Sequence, residues 1–304
     1  MGIIGKIENI KIHKEMKKKK ELQIDNLLSK KTLHDENFPV GSFLISKENI
    51  NYTRKFYKFS RTADDIADNR RLKISKKLKI LIRFDELLKN KENSDYSFIN
   101  DILSLQKRKK FNDNYPRKLL VAFIQDASKS RYADWNELIN YCEHSASPVG
   151  RFVVDLHEIK ENLAEIYVGC DHLCNSLQIL NHLQDCKEDF LNLDRIYIPE
   201  NMFKKEKIKT NSFLEMKNRK AFIKVKNNCI NKVKDLLDQS ISKIKLISNF
   251  RLRMETLVIF FIAKRLAFLL EINDPIEKKV KLNYIDLIFC FFKGIIGAIK
   301  FNAK

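Results

Sequence analysis

Apolar residues recur along the chain at steps of three and four, the period of a helix, and predict helices nearly throughout. Over residues 162–190 there is no Pro, and no Gly except Gly169, so the pattern predicts one long helix or two stacked ones. A further helical segment begins near Asn51 and runs through Asp68. Asp134 with Glu137 has the spacing of a capping box opening a helix toward Tyr141, and Ser147 before Pro148 predicts an N-cap with proline at the first helical position. Residues 191–202 break the period with Asn192, Asp194, Pro199 and Asn201; it then resumes to Asn273, and Pro275 ends it. No internal repeat and no Gly-, Ser- or Pro-rich linker divides the chain. The simplest organisation is one all-α domain over residues 32–304, after a lysine-rich segment, 1–31, that lacks a strong apolar face.

Composition narrows the picture. With 7 Gly and 5 Pro in 304 residues, of which 44% are apolar, the chain can bury a sizeable core, and collagen-like or turn-rich all-β architectures are excluded. A net charge of +19 favours anionic partners, although Lys, Asn and Ile are abundant together, as an AT-rich coding bias would produce. The basic runs at 17–20 and 107–110 carry few interleaved aromatics, so they read as solvated faces and nucleic acid is not an expected partner. Six scattered cysteines fit a reduced, cytoplasmic compartment. Cys170, His172 and Cys174 lack a second ligand pair at zinc-site spacing and read as buried helix residues. No apolar stretch is long enough to span a bilayer. The C-terminal stretch, which crowds Phe289, Phe291, Phe292 and Ile295 beside Lys293 and Lys300, reads as core or as a helix at the inner membrane surface.

Candidate chemistry lies in two acidic pairs. At helical spacing Asp64 and Asp68 share a face, one turn apart near a helix C-terminus, where like charges and the helix dipole both cost free energy unless a cation is present. Asp185 and Asp189 repeat the spacing, with Asn181 and Gln178 a turn earlier each on a helix otherwise apolar at Leu177, Ile179, Leu180 and Leu183. A polar stripe facing inward implies a ligand cavity. Facing each other, the pairs would hold hard cations that keep waters and bind phosphate oxygens, the arrangement needed to ionise a diphosphate. Spacing alone is weak, because 39 acids give about five such pairs by chance. The surroundings of the first pair add weight: Tyr57 and Arg61 precede it on the same side, Arg61 being either a local partner for Asp65 or a grip on the same phosphate.

Four blocks at these residues, ENFPVGSFLI (36–45), FYKFSRTADDIADN (56–69), YCEHSASPVGRFVVDLHE (141–158) and LQILNHLQDCKEDFLNLDRIYIP (177–199), resemble the squalene/phytoene synthase family, and within it the hydroxysqualene-forming type of the bacterial hopanoid pathway. The resemblance implies an all-α isoprenoid-synthase fold with a central cavity and Mg2+ held by the two aspartate motifs. It implies Asp64, Asp68, Asp185 and Asp189 as magnesium-associated carboxylates, with Asn181 beside them. Tyr57, Arg61 and Gln178 match positions near the diphosphate or its first carbons, Tyr141 a cavity-wall tyrosine, and Asn37 and Phe38 a phosphate-contacting segment. The implied substrate is presqualene diphosphate, losing diphosphate and capturing water without NADPH; the alternative within the family is condensation of two prenyl diphosphates to squalene or phytoene. Many condensing members carry Arg where this chain has Gln184; the resemblance places Gln184 among the substrate-binding residues, and the absence of Arg is compatible with handling one diphosphate. Arg195, just past the second motif, is expected either to close over the diphosphate or to form a structural salt bridge. The apolar wall is expected around Phe38, Val153 and Leu177 and along 257–270.

Overall fold

The computed structural model describes residues 47–108 and 111–301, so Asn37, Phe38 and the segment 1–31 lie outside the described residues. Among the described residues the helices are α1 (Lys47–Asp68), α2 (Ile74–Asn90), α3 (Ser97–Arg108), α4 (Asn114–Ser128), α5 (Trp135–Ser145), α6 (Ser147–Leu156), α7 (Leu163–Gln184), α8 (Cys186–Leu193), α9 (Glu200–Lys205), α10 (Arg219–Ile244), α11 (Phe250–Ile272) and α12 (Tyr284–Lys300). The expected all-α class holds; the strand-like pairing among these residues is one parallel bridge between Arg131 and Ile196.

Two apolar clusters organise the packing. One gathers Phe59, Phe84 and Phe98 among α1 to α4, and the other surrounds α7, α10 and α11. Helix α7 packs along α10 so closely that a Cβ on Gly169 would lie 2.6 Å from Lys243 Cβ and 3.2 Å from the Ser240 carbonyl oxygen, which is why the one glycine in this long apolar run is retained. Of the two readings of 162–190, the structure has the two helices, broken at Asp185, whose own φ of −101° and ψ of 7° end α7 and begin α8. Asp185 is therefore at a junction and Asp189 in the first turn of α8, where the dipole favours a carboxylate.

Asp134 caps α5 as expected, accepting from the Glu137 backbone N–H at 3.0 Å. Ser147 does not cap α6: Ala146 occupies that place, and the buried Ser147 hydroxyl instead donates to Asn175 Oδ1 of α7 at 3.0 Å. The periodic stretch running to Asn273 is likewise interrupted, with Asn249 capping α11 by accepting from the Leu252 N–H at 3.0 Å. All six cysteines are free thiols; Cys174 is half-buried and the other five are buried.

Helix α12 meets α11 along a narrow stripe, Asp286, Cys290, Gly294 and Ala298. A Cβ on Gly294 would lie 2.8 Å from the Val258 backbone nitrogen, so the small residues let the two helices approach closely while most of α12 stays outside. No helix among the described residues is long and apolar enough to cross a membrane.

Candidate active site

Helices α1 and α7 each present a stripe that changes character along its length. On α7, Cys170, Leu173, Cys174 and Leu177 line an apolar cavity of about 340 Å3. The same stripe continues through Gln178, Asn181, His182 and Asp185 into a polar cavity of about 290 Å3. On α1 the order is Thr53 and Phe56 in the apolar part, then Arg61, Asp64 and Asp68 in the polar part. Tyr57, Ser60, Ser145, Gln178 and Asn181 line both cavities and form the waist between them. The two helices thus sort one continuous space into an acidic end and a greasy end.

The acidic end gathers Asp64, Asp68, Asp126, Asp185 and Asp189, five carboxylates against the two guanidinium groups of Arg61 and Arg195. Arg61 pairs locally, 3.0 Å from Asp64 and 2.7 Å from Asp65, and also lines the cavity. Arg195 is buried and bridges the walls: it donates to Asp68 at 2.9 Å, to the Asp126 carbonyl at 2.8 Å and to the Tyr197 hydroxyl at 2.9 Å. Tyr141 and Tyr197 each donate to the Asp126 carboxylate at 2.8 Å. The segment bearing Arg195 and Tyr197 is fixed by backbone bonds from Ile196 N–H to the Ser130 carbonyl (2.9 Å) and from Glu200 N–H to the Tyr132 carbonyl (2.8 Å). Of the two readings of Arg195, the structure contains the salt bridge: a buried guanidinium with these partners is part of the cavity wall.

Crowding shows in the protonation of the acids. Burial, and then the neighbouring Asp68, push Asp64 well above the usual carboxylate range. Burial and Asp185 raise Asp189 to about 8, with smaller contributions from Asp68 and Asp126 across the cavity. Asp126 is raised to about 6 by burial, opposed by Arg195. His182, stacked on Tyr197 with ring centroids 3.4 Å apart, is pushed down to about 3 by burial and by Arg195, so it is neutral near pH 7. Among the described residues no three His, Cys, Asp or Glu side chains converge as a ready-made metal site. The donor set nonetheless fits Mg2+, which keeps waters and takes one or two carboxylates together with phosphate oxygens. The surplus of carboxylates facing one cavity from two helices supplies such donors, and their raised affinity for protons marks an unmet need for positive charge.

The structure brings Tyr57, Arg61, Asp64, Asp68, Tyr141, Gln178, Asn181, Asp185, Asp189 and Arg195 to this polar cavity. Gln184 is not among its lining residues. Its side chain is buried, and its amide donates to the Val280 carbonyl at 2.6 Å, because the last residue of α7 points about 100° around the helix from its neighbour. Asp185 holds Lys279 at 2.7 Å, a cation from the loop before α12. The apolar wall uses Val153 and Leu177 as expected, but α11 contributes Leu252, Thr256 and Ile259 near its start together with one buried carboxylate, Glu255, while Leu257, Leu266 and Leu270 face the core. Sequence reasoning missed Asp126. Its signal was present: an aspartate three residues after Phe123 and seven after Leu119, on the buried face of α4.

A family model described as squalene/phytoene synthase matches residues 31–282. A hydroxysqualene synthase of Sinorhizobium fredii is 34% identical over 254 residues, covering 84% of this chain and 86% of that protein. One of Rhodopseudomonas palustris is 34% identical over 273 residues, with 90% and 92% covered. Among solved structures, squalene synthase HpnC from Alicyclobacillus acidocaldarius superposes with a TM-score of 0.65 at 20% identity, covering 83% of this chain and 93% of that one. A dehydrosqualene synthase in complex with a ligand reaches 0.71 at 17%, covering 94% and 98%. With a family model matching residues 31–282 and relatives 34% identical over most of its length, the chain belongs to the squalene/phytoene synthase family.

Proposed function

We propose that this protein converts presqualene diphosphate to hydroxysqualene and free diphosphate, with Mg2+ as its cofactor, in an isoprenoid pathway leading to squalene and hopanoids. The observation that carries this reading is the waist: one cavity, acidic at one end and apolar at the other, with Tyr57, Ser60, Ser145, Gln178 and Asn181 at the border. A diphosphate ester of a long hydrocarbon fits such a space in one orientation only. The kinship with hydroxysqualene synthases supports the choice of substrate.

In this reading Asp64 and Asp68 on one wall, and Asp185, Asp189 and Asn181 on the other, hold the metal against the diphosphate. Magnesium, when bound, neutralises the leaving group. Arg61 stands beside Tyr57 to grip a phosphate oxygen, and Arg195 keeps Asp68 and Asp126 in place. The carbon–oxygen bond breaks with its electron pair on diphosphate, and the rearranged cation is held by the apolar wall away from bulk solvent. The oxygen of a water molecule forms the new carbon–oxygen bond, and its proton passes to the medium. No electrons are gained or lost, so NADPH is not required.

The test is incubation of purified protein with presqualene diphosphate and Mg2+, without NADPH, followed by mass spectrometry of the organic extract. Hydroxysqualene is expected, and its yield should disappear in Asp64→Ala and Asp185→Ala variants that remain folded. Near wild-type turnover in either variant would sink the residue assignment. Unchanged presqualene diphosphate together with turnover of farnesyl or geranylgeranyl diphosphate would move the enzyme to the condensing branch.

A further inference from the structure

Helix α12 lies beyond the residues that the family model matches, and it presents to solvent what a core helix would hide. Ile285, Ile288, Phe289, Phe292, Ile296 and Ile299 are all exposed, from 42% at Ile288 to 75% at Ile285. They flank the narrow stripe that meets α11, and Phe268 and Ile272 of α11 extend the exposed apolar surface. Isolated exposed apolar residues are ordinary, but a run of this size on adjoining helices marks an interaction surface.

The charges beside it point to the occupant. A groove of about 250 Å3 between α11 and α12 is lined by Phe261, Lys264, Arg265, Phe268, Phe289 and Lys293, with Cys290 at its base. Lys293 Nζ stands 4.4 Å from the centre of the Phe289 ring and has no acidic partner among the described residues. Lys264 has only a distant one, Asp238 at 3.9 Å. Asp286, the acid on α12, is buried and engaged twice, by Arg265 at 2.6 Å and by the capping box with Asn283. The surface is thus apolar with a cationic margin and no free carboxylate on α12. A second copy of the chain docked face to face would set Lys264 and Lys293 against like charges, whereas a bilayer with anionic headgroups complements both features.

We propose that the α11–α12 face docks on an anionic phospholipid bilayer, with the isoleucines and phenylalanines of α12 entering the headgroup–acyl boundary and Lys264 and Lys293 meeting lipid phosphates. The contact lies in the plane of the interface, since α12 does not span. It concerns surface residues outside the acid-lined cavity and does not depend on the reading of the reaction.

Full-length wild type, Phe289→Ser/Phe292→Ser and Lys264→Glu/Lys293→Glu are floated with vesicles of phosphatidylcholine alone or mixed with phosphatidylglycerol. Wild type is expected to float with the mixed vesicles, less well as salt is raised. Both double variants should partition about tenfold less or weaker still, while melting as wild type does. If the serine variant melts lower, the charge variant, altered only at exposed lysines, decides. Wild type left at the bottom of the gradient with mixed vesicles, or charge-reversed protein floating as wild type does, overturns the proposal. So does a wild-type dimer in gel filtration that the serine variant dissolves without any flotation, which would make a second copy the occupant.

Discussion

Replacing Arg195 with methionine removes the cation that ties three elements together, and the structure sets the scale of the effect. The guanidinium is buried and satisfies Asp68 at 2.9 Å, the Asp126 carbonyl at 2.8 Å and the Tyr197 hydroxyl at 2.9 Å. Methionine fills similar space but leaves Asp68 and Asp126 facing each other with no cation between them. Removing one member of a buried charge pair costs about 3–5 kcal/mol, because the remaining charge stays desolvated. For 304 residues an unfolding entropy of about 2.1 cal/mol/K per residue gives about 0.6 kcal/mol/K, so the melting temperature should fall by roughly 5–8 °C. Adding Asp126→Asn should recover part of that loss, since the partner left charged is then neutral. Thermal unfolding of the two single variants, the double variant and wild type measures the coupling. An Arg195→Met protein melting within about 1 °C of wild type, or a double variant showing simple additivity, would refute the bridge as described.

Two further outcomes follow from the cavity. Asp189 has its affinity for protons raised to about 8 against an unfolded value near 3.9, so its folded form binds the extra proton. Its contribution to stability is complete at low pH and is lost as pH rises through about 8. With chelator present, that contribution is lost between about pH 4 and 8, so above the range in which His182 opposes it, from about pH 6.5 to 8, the melting temperature should fall and then level off, and added Mg2+ should stabilise more at the upper end; a profile rising from about pH 6.5 to 8 in chelator would contradict the crowding of the acids. Leu177→Trp, which fills the apolar cavity next to the waist, should lower kcat/KM roughly a hundredfold while leaving stabilisation by inorganic diphosphate and Mg2+ intact. Loss of both together would mean that the two ends of the cavity are not separable.

Much of this arrangement was legible in the sequence because helices write their faces at a fixed period. Tyr57, Arg61, Asp64 and Asp68 on α1 needed only that period to fall on one side, and the side proved to be the cavity. The break at Asp185 was not legible, since Cys186 onward keeps helical composition and no Gly or Pro marks the junction. Gln184 was misplaced for a related reason: standing next to a site residue in sequence puts a side chain about 100° around the helix, here onto Val280. Asp126 escaped because it belongs to neither motif, and only tertiary packing carries the end of α4 to Tyr141, Tyr197 and Arg195. The α12 face was visible as a Phe-rich run, but the sequence did not divide core from surface. That division rests on the close approach at Gly294, which limits the contact with α11 to one narrow stripe.

The six free cysteines give the chain a set of internal clocks. They sit on α5, α7, α8, α10 and α12, and burial pushes every one of their thiols above the ordinary range, to about 12 at Cys174 and Cys229. A thiol reacts with an alkylating reagent as its thiolate, so none of the five buried ones should be modified at an appreciable rate until its own helix opens, whereas Cys174 is reached through the cavity it lines. Mass-resolved alkylation of the native protein would then time the opening of each part of the bundle separately, with no engineered probe. Cys174 in the apolar cavity wall would report when that cavity is filled.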